Sequence, residues 1–369
     1  MGAPPLNNLR LSLLTLSLLC VLLASSASAK AQHTQSARNE TSEAKAAQPH
    51  IQTPIIDYKE RFLPVVAQHG MVVGAEKLAA EVGMKILRAG GNAIDAAVAT
   101  GFALAVTYPR AGNLAGGGFM LIHLAEENRQ TLIDYRETAP AAATRDMFLD
   151  EEGNVDKMRE YFSLTSSGVP GTVAGLLYAQ EKYGILSRAQ VLAPAIALAQ
   201  DGLIVSFSHY YEINARADQL RKNAEAARLF FKPDGSAYDI GDTWRQPDLA
   251  WTLSEISKRG KDGFYSGAVA QRITDEMKSG GGLITAADLA GYFVVERQPV
   301  SGMYKDFNVV STPPPSSGGV HIVQILNILE GYDLQAMGQG SASYIHHLAE
   351  SMKLAYADRS QYLGDPDYV

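Results

Sequence analysis

The chain has 369 residues, a net charge of −7, 46% hydrophobic residues and a single cysteine. One thiol cannot close a disulfide within a chain, and a charged fraction of 19% is too low for a mainly disordered protein. With 39 acidic against 32 basic residues, a broad nucleic-acid-binding surface is disfavoured, and the length suits one large or two moderate domains.

Met1–Ala29 reads as a cleavable secretory signal. Arg10 supplies a positive start, Leu11 to Ala24 form the apolar run, and Ala27-Ser28-Ala29 gives the small-x-small pattern of a signal peptidase site. The run is shorter than the roughly 20 residues needed to span a bilayer, so no membrane span is expected once the signal is removed. Cys20 follows Leu18 and Leu19 instead of a small residue, which makes it part of the apolar run and not a lipid attachment point. Cleavage leaves a mature chain without cysteine, excluding a thiol nucleophile, a Cys zinc site and an iron–sulfur cluster. Residues 30–62 are polar and rich in Ala, Gln, Ser and Thr, a flexible leader into a single folded unit over 63–369.

The folded part alternates helices and strands. Leu78, Val82 and Ile86 predict a helix over 75–89, closed by Gly90-Gly91. Asn92 with Asp95 predicts a capping box opening a second helix, 93–106, which is apolar on every side and small enough in its side chains to lie close to its neighbours. Gly116-Gly-Gly118 precedes a strand 119–124, and a polar turn leads to a second strand 131–137, forming a hairpin. Further helices are expected over 171–182, 188–199, 248–257 and 268–278, and Thr285 with Asp288 marks another helix start. Strands are expected over 293–296 and 307–311, then helices 321–330 and 342–356.

Most standard catalytic signatures are missing: no G-x-G-x-x-G, no G-x-x-x-x-G-K-[ST], no H-E-x-x-H and no G-x-S-x-G. The adjacent His346 and His347 cannot both face one metal from one side of a helix; one packed and one exposed histidine is expected. Ser316 and Ser317 at a helix start suit capping better than anion binding. The three glycines Gly116–Gly118 allow either tight backbone packing or the approach of a ligand. Arg136, expected within the second hairpin strand, has the fork that clamps a carboxylate. Asp134 lies on the same side by the period of two, so the residues alone favour an internal ion pair between them.

Gly90-Gly-Asn-Ala-Ile-Asp-Ala-Ala97, Ala111-Gly-Asn-Leu-Ala-Gly-Gly-Gly-Phe-Met120, Asp134-Tyr-Arg-Glu-Thr-Ala-Pro140 and Pro170-Gly-Thr172 together resemble γ-glutamyltransferase. Pro313-Pro-Pro-Ser-Ser-Gly-Gly319, Tyr356-Ala-Asp-Arg359 and Leu363-Gly-Asp-Pro366 extend the resemblance, in the family's order, from about residue 63 onward. It implies an α/β fold, the αββα sandwich of the N-terminal-nucleophile hydrolases, with two sheets between helix layers. It also implies a precursor that cuts itself into a large and a small subunit, of which this sequence is similar to the large one, incomplete without its partner.

The same resemblance implies a mechanism. The nucleophile is the Thr that begins the small subunit, expected beyond Val369, so no catalytic residue is assigned in this chain and Thr165, Thr172 and Ser317 are rejected as substitutes. No metal and no cofactor are implied. Arg136 matches the arginine that the family presents to the substrate's α-carboxylate, which reverses the weighing against it. Ala115 stands where related sequences often carry another glycine. Expected substrates are glutathione and other γ-glutamyl compounds, with water, amino acids or peptides as acceptors, in the periplasm or outside the cell. Expected partners are the chain's own small subunit and no nucleic acid. The competing readings are a β-lactam side-chain acylase or poly-γ-glutamate hydrolase of the same fold, and a truncated, non-catalytic binding protein.

Overall fold

Helix α1 (Lys77–Arg88) and helix α2 (Ala93–Thr107) begin the ordered elements of a computed structural model that describes residues 64–368. The expected signal peptide and leader lie outside the described residues. The predicted capping box is present: Asn92 Oδ1 accepts from the Ile94 and Asp95 amides, and Asp95 Oδ2 accepts from the Asn92 amide at 3.1 Å. Asp95 is fully buried, and the same oxygen also takes the Ile185 and Leu186 amides at 3.0 and 3.2 Å. Three backbone donors thus converge on one oxygen of this side chain and tie the start of α2 to the Ile185–Leu186 segment. Helix α2 is buried over most of its surface between α1, α3 (Thr172–Tyr183) and α4 (Arg188–Asp201), but not on every side as expected: Ala93 and Ala97 are exposed. Its small residues set the spacing: a Cβ on Gly83 of α1 would lie 2.4 Å from Thr100 Oγ1.

Strands β1 (Phe119–Leu124) and β2 (Arg129–Asp134) form the predicted hairpin, with Phe119 opposite Asp134. After α4 come β3 (Leu203–Ile204), β4 (Thr243–Trp244), α5 (Pro247–Arg259), α6 (Gly267–Ser279) and α7 (Ala286–Gly291). Then follow β5 (Val295–Arg297), β6 (Val300–Tyr304), β7 (Phe307–Ser311), α8 (Gly318–Glu330) and α9 (Ala342–Tyr362). Among the described residues, all strand pairs are antiparallel, in sheets β1-β2-β5, β3-β4 and β6-β7.

The structure corrects the sequence reading at several places. Strand β2 ends at Asp134 and not at Glu137, for reasons that belong to the site below. Strand β5 is shifted to 295–297 because Asp134 and Leu132 pair with Val295 and Arg297, leaving Phe293 exposed. Strand β6 was not anticipated; its Gly302 lies so near Val323 of α8 that a Cβ would come within 2.4 Å. Helix α8 starts at Gly318, three residues earlier than expected, with Gly319 against the Thr312 backbone. Helix α9 runs past Tyr356 to Tyr362, and there Arg359 Nε donates to Ser317 Oγ at 3.1 Å.

Glu296 ties β2, β5 and α3 together. Its carboxylate accepts from Thr131 Oγ1 at 2.8 Å and Tyr178 OH at 3.1 Å, and it also contacts Lys182 and Tyr183. Burial alone would raise its pKa, but the Lys182 ammonium and the three hydroxyls overcome burial and lower it from 4.5 to about 2. A carboxyl depressed in the folded state adds stability above its unfolded pKa and loses it as the pH falls through the folded value. Glu296→Gln is therefore expected to cost about 1–3 kcal/mol at pH 7, allowing for partial exposure. Urea unfolding of both proteins at pH 7 and near pH 3 checks this: the gap should narrow at the lower pH, and a gap that does not change with pH would remove the charge from the explanation.

Candidate functional site

Three of the motifs meet around Tyr135. The ladder continues one pair beyond β2: the Gly118 amide donates to Tyr135 O at 3.2 Å, and the Tyr135 amide to Gly118 O at 3.0 Å. The Tyr135 ring then lies in a space that only glycines leave open. A Cβ would fall 3.1 Å from the ring at Gly118 and 2.1 Å from Cγ at Gly175, and 1.9 Å from Tyr135 O at Gly171. Gly116 O receives the amides of Gly171 and Thr172 at 2.8 and 2.9 Å, joining the glycine run to the start of α3. The glycine run therefore serves close backbone packing. Ala115 is exposed, so its methyl group disturbs none of this.

Two further tyrosines complete the support. Tyr265 OH donates to Pro170 O at 2.7 Å and accepts from the Ala174 amide at 3.2 Å. Its ring stacks on Tyr292 with centroids 5.7 Å apart and planes 10° from parallel. Tyr292 OH donates to Arg136 O at 2.8 Å. Burial pushes the Tyr135 hydroxyl up to about 12 and raises those of Tyr265 and Tyr292 as well. The hydroxyls at 265 and 292 thus stay protonated donors across the physiological range.

Arg136 sits just past the end of the strand, not within it. Its amide turns to Asp134 Oδ1 at 3.0 Å and its carbonyl to Tyr292, so neither continues the ladder. The ion pair expected between Asp134 and Arg136 does not form. Asp134, nearly buried, takes Arg297 Nε at 2.7 Å instead. Among the described residues, the Arg136 guanidinium has only a loose approach to Glu137, at 3.6 Å, and 58% of its side-chain surface is exposed. It borders a cavity of about 160 Å³, together with Asp134, Glu137, Tyr292 and Arg297. A cavity near 150 Å³ holds a benzene-sized group, so an amino-acid head fits. Asp288 and, from the chain's far end, Asp365 also line it.

Thr165, Thr172 and Ser317 do not line this cavity. Thr165 Oγ1 donates to Gly281 O at 3.2 Å, and Ser317 accepts from Arg359. Ser316 Oγ takes the Gly318 amide at 3.3 Å, while Ser317 makes no capping bond. His347 packs edge-on to Tyr332 at 4.6 Å and His346 is exposed, the expected split. Among the described residues, no group of His, Asp and Glu is placed to hold a metal, and no helix is long and apolar enough to cross a membrane. Sequence reasoning missed Tyr292 and Arg297. Neither lies in a quoted motif, and both reach Arg136 or Asp134 across more than 150 residues, where no local spacing points to them.

The sequence pattern of the family described as Gamma-glutamyltranspeptidase matches residues 79–369. The chain is 51% identical to the glutathione hydrolase proenzyme of Escherichia coli (strain K12), over 84% of this chain and 53% of that protein. It is 41% identical to the Acylase ACY 1 proenzyme of Pseudomonas sp. (strain V22), over 85% of this chain and 57% of that protein. The crystal structure of Helicobacter pylori gamma-glutamyltranspeptidase shares its α/β fold with a TM-score of 0.81 at 46% identity, over 83% of this chain and 88% of that one. The chain thus spans about half the length of the curated relatives it matches. Pattern, sequence and fold agree: the chain belongs to the gamma-glutamyltranspeptidase family.

Proposed function

We propose that this chain is the substrate-clamping half of a γ-glutamyltransferase that cleaves the γ-glutamyl amide of glutathione and related compounds. The observation that carries the reading is the Arg136 guanidinium, exposed to the cavity with Glu137 held no tighter than 3.6 Å, while Arg297 neutralises Asp134. A fork of two parallel N–H donors with no tight protein partner suits a substrate α-carboxylate. In the complete enzyme, a Thr hydroxyl from the other half attacks the γ-amide carbonyl. The amine leaves with a proton, a γ-glutamyl ester remains, and water or an amino-acid or peptide amine then releases it. Arg136 holds the head of the substrate so that the γ-carbonyl meets the nucleophile, an orienting contribution to the rate.

The other half is proposed to dock on the face formed by β6, α8 and α9. Val300, Val323, Ile328 and Tyr362 wall an open groove of about 670 Å³ there. The proenzyme naming of the Escherichia coli relative and its greater length support a two-part maturation. The Met1–Ala29 pattern supports a location outside the cytoplasm.

Assaying a γ-glutamyl anilide with residues 30–369 alone, and with the chain joined to the rest of its precursor, tests the reading. Turnover is expected only from the joined protein. Turnover by the chain alone that is lost on mutating one of its own residues would overturn the division of labour. Cleavage of a β-lactam side-chain amide in preference to the anilide would favour the acylase reading.

A further inference from the structure

We infer that Arg297 is a positioning residue that keeps the Arg136 guanidinium free for substrate by occupying the Asp134 carboxylate, which would otherwise compete for it. The inference rests on the carboxylate-binding reading of Arg136. Asp134 offers the same chemical group as the substrate's α-carboxylate and sits two residues away, bordering the same cavity. A tethered carboxylate competes at an effective concentration in the millimolar range or above, enough to oppose a dilute ligand. In the structure, both of its oxygens are taken: Oδ2 by Arg297 Nε at 2.7 Å, Oδ1 by the Arg136 amide at 3.0 Å. The pairing is set by the sheet. Val295 is opposite Asp134 and Arg297 opposite Leu132, so Arg297 is the diagonal neighbour of Asp134 on one face. With Asp134 at 7% and Arg297 at 20% side-chain exposure, the pair is shielded from solvent, and little water competes for either charge.

The test uses the complete processed enzyme and two substrates, a γ-glutamyl anilide with a free α-carboxylate and the same compound amidated there. Arg297→Met should raise KM for the free acid about tenfold or more, leave kcat within about threefold, and hardly move KM for the amide. Adding Asp134→Asn, which removes the competing charge but keeps an oxygen for the Arg136 amide, should bring KM for the acid back to within about threefold of wild type. A single variant without the acid-specific rise, or a double variant that fails to recover, overturns the inference. If Arg297→Met does not fold, Arg297→Gln replaces it, with the same two outcomes: an acid-specific rise reversed by Asp134→Asn supports the inference, and no rise overturns it. Arg136→Ala run alongside separates the two levels. Acid-specific loss there with no effect at 297 rejects only this inference, whereas equal losses on acid and amide reject the carboxylate reading and this inference with it.

Discussion

Arg136→Ala in the complete enzyme is expected to raise KM for a γ-glutamyl substrate by at least tenfold to a few hundredfold, with a much smaller change for a substrate amidated at its α-carboxylate. Each charge-assisted hydrogen bond lost is worth roughly 1.5–3 kcal/mol, and about 1.4 kcal/mol corresponds to a tenfold change in binding. Arg136→Lys should fall between, because an ammonium supplies a charge without the parallel donors of a guanidinium. The effect belongs on KM provided the contact is the same before and during the reaction. The side chain is largely exposed and holds Glu137 only at 3.6 Å, so its removal should leave the melting temperature within a few degrees of wild type. Self-cleavage should also survive. Steady-state kinetics on both substrates decide the matter; equal losses on the two, or a variant that no longer matures, would return Arg136 to a structural role.

Gly171→Ala should be the most damaging conservative change around the site. Its Cβ would lie 1.9 Å from Tyr135 O and 2.3 Å from Tyr292 OH, the two groups that fix the backbone on either side of Arg136. The first contact is with backbone, which cannot swing aside. Overpacking of this kind costs about 1–3 kcal/mol and sometimes more, and with two fixed neighbours the upper end is expected. Gly175→Ala meets the Tyr135 ring at 2.1 Å, but replacing a helical glycine returns up to about 1 kcal/mol of helix propensity, so its net loss should be smaller. Gly331→Ala is the control, since its nearest neighbour is Ile328 O at an ordinary 3.6 Å and the change should stay within about 0.5 kcal/mol. Urea midpoints of the three variants should rank in that order. A Gly171→Ala enzyme as stable as the control would mean that the packing around Tyr135 yields easily and does not hold Arg136.

Much of this architecture is legible in the sequence because its signals are local. The Asn92–Asp95 capping box, the apolar α2 and the β1-β2 hairpin each depend on residues within a few positions of one another, and all three form. What escapes the sequence is long-range. Whether Asp134 pairs with Arg136 or with something else cannot be settled from the period of two, because the winning partner, Arg297, arrives on β5 from 163 positions away. The early end of β2 has the same origin: a strand pattern continues through Glu137, but the Arg136 amide and carbonyl find Asp134 and Tyr292 in place of a neighbouring strand. Strand β6 went unseen because Gly302 weakens the strand pattern, and its need for glycine is visible only once Val323 lies against it. The role of the glycines at 171 and 175 was likewise hidden, since what they make room for is the ring and backbone of Tyr135, on a different element.

The central claim is that the cavity beside β2 and β5 receives the substrate's α-carboxylate on Arg136. The most direct measurement is a crystal structure of the complete enzyme with glutamate bound. The α-carboxylate is expected against the Arg136 guanidinium, with two N···O distances of about 2.7–2.9 Å and the Asp134–Arg297 pair still closed. A carboxylate seated on other residues, with Arg136 turned to Asp134 or left in solvent, would contradict it.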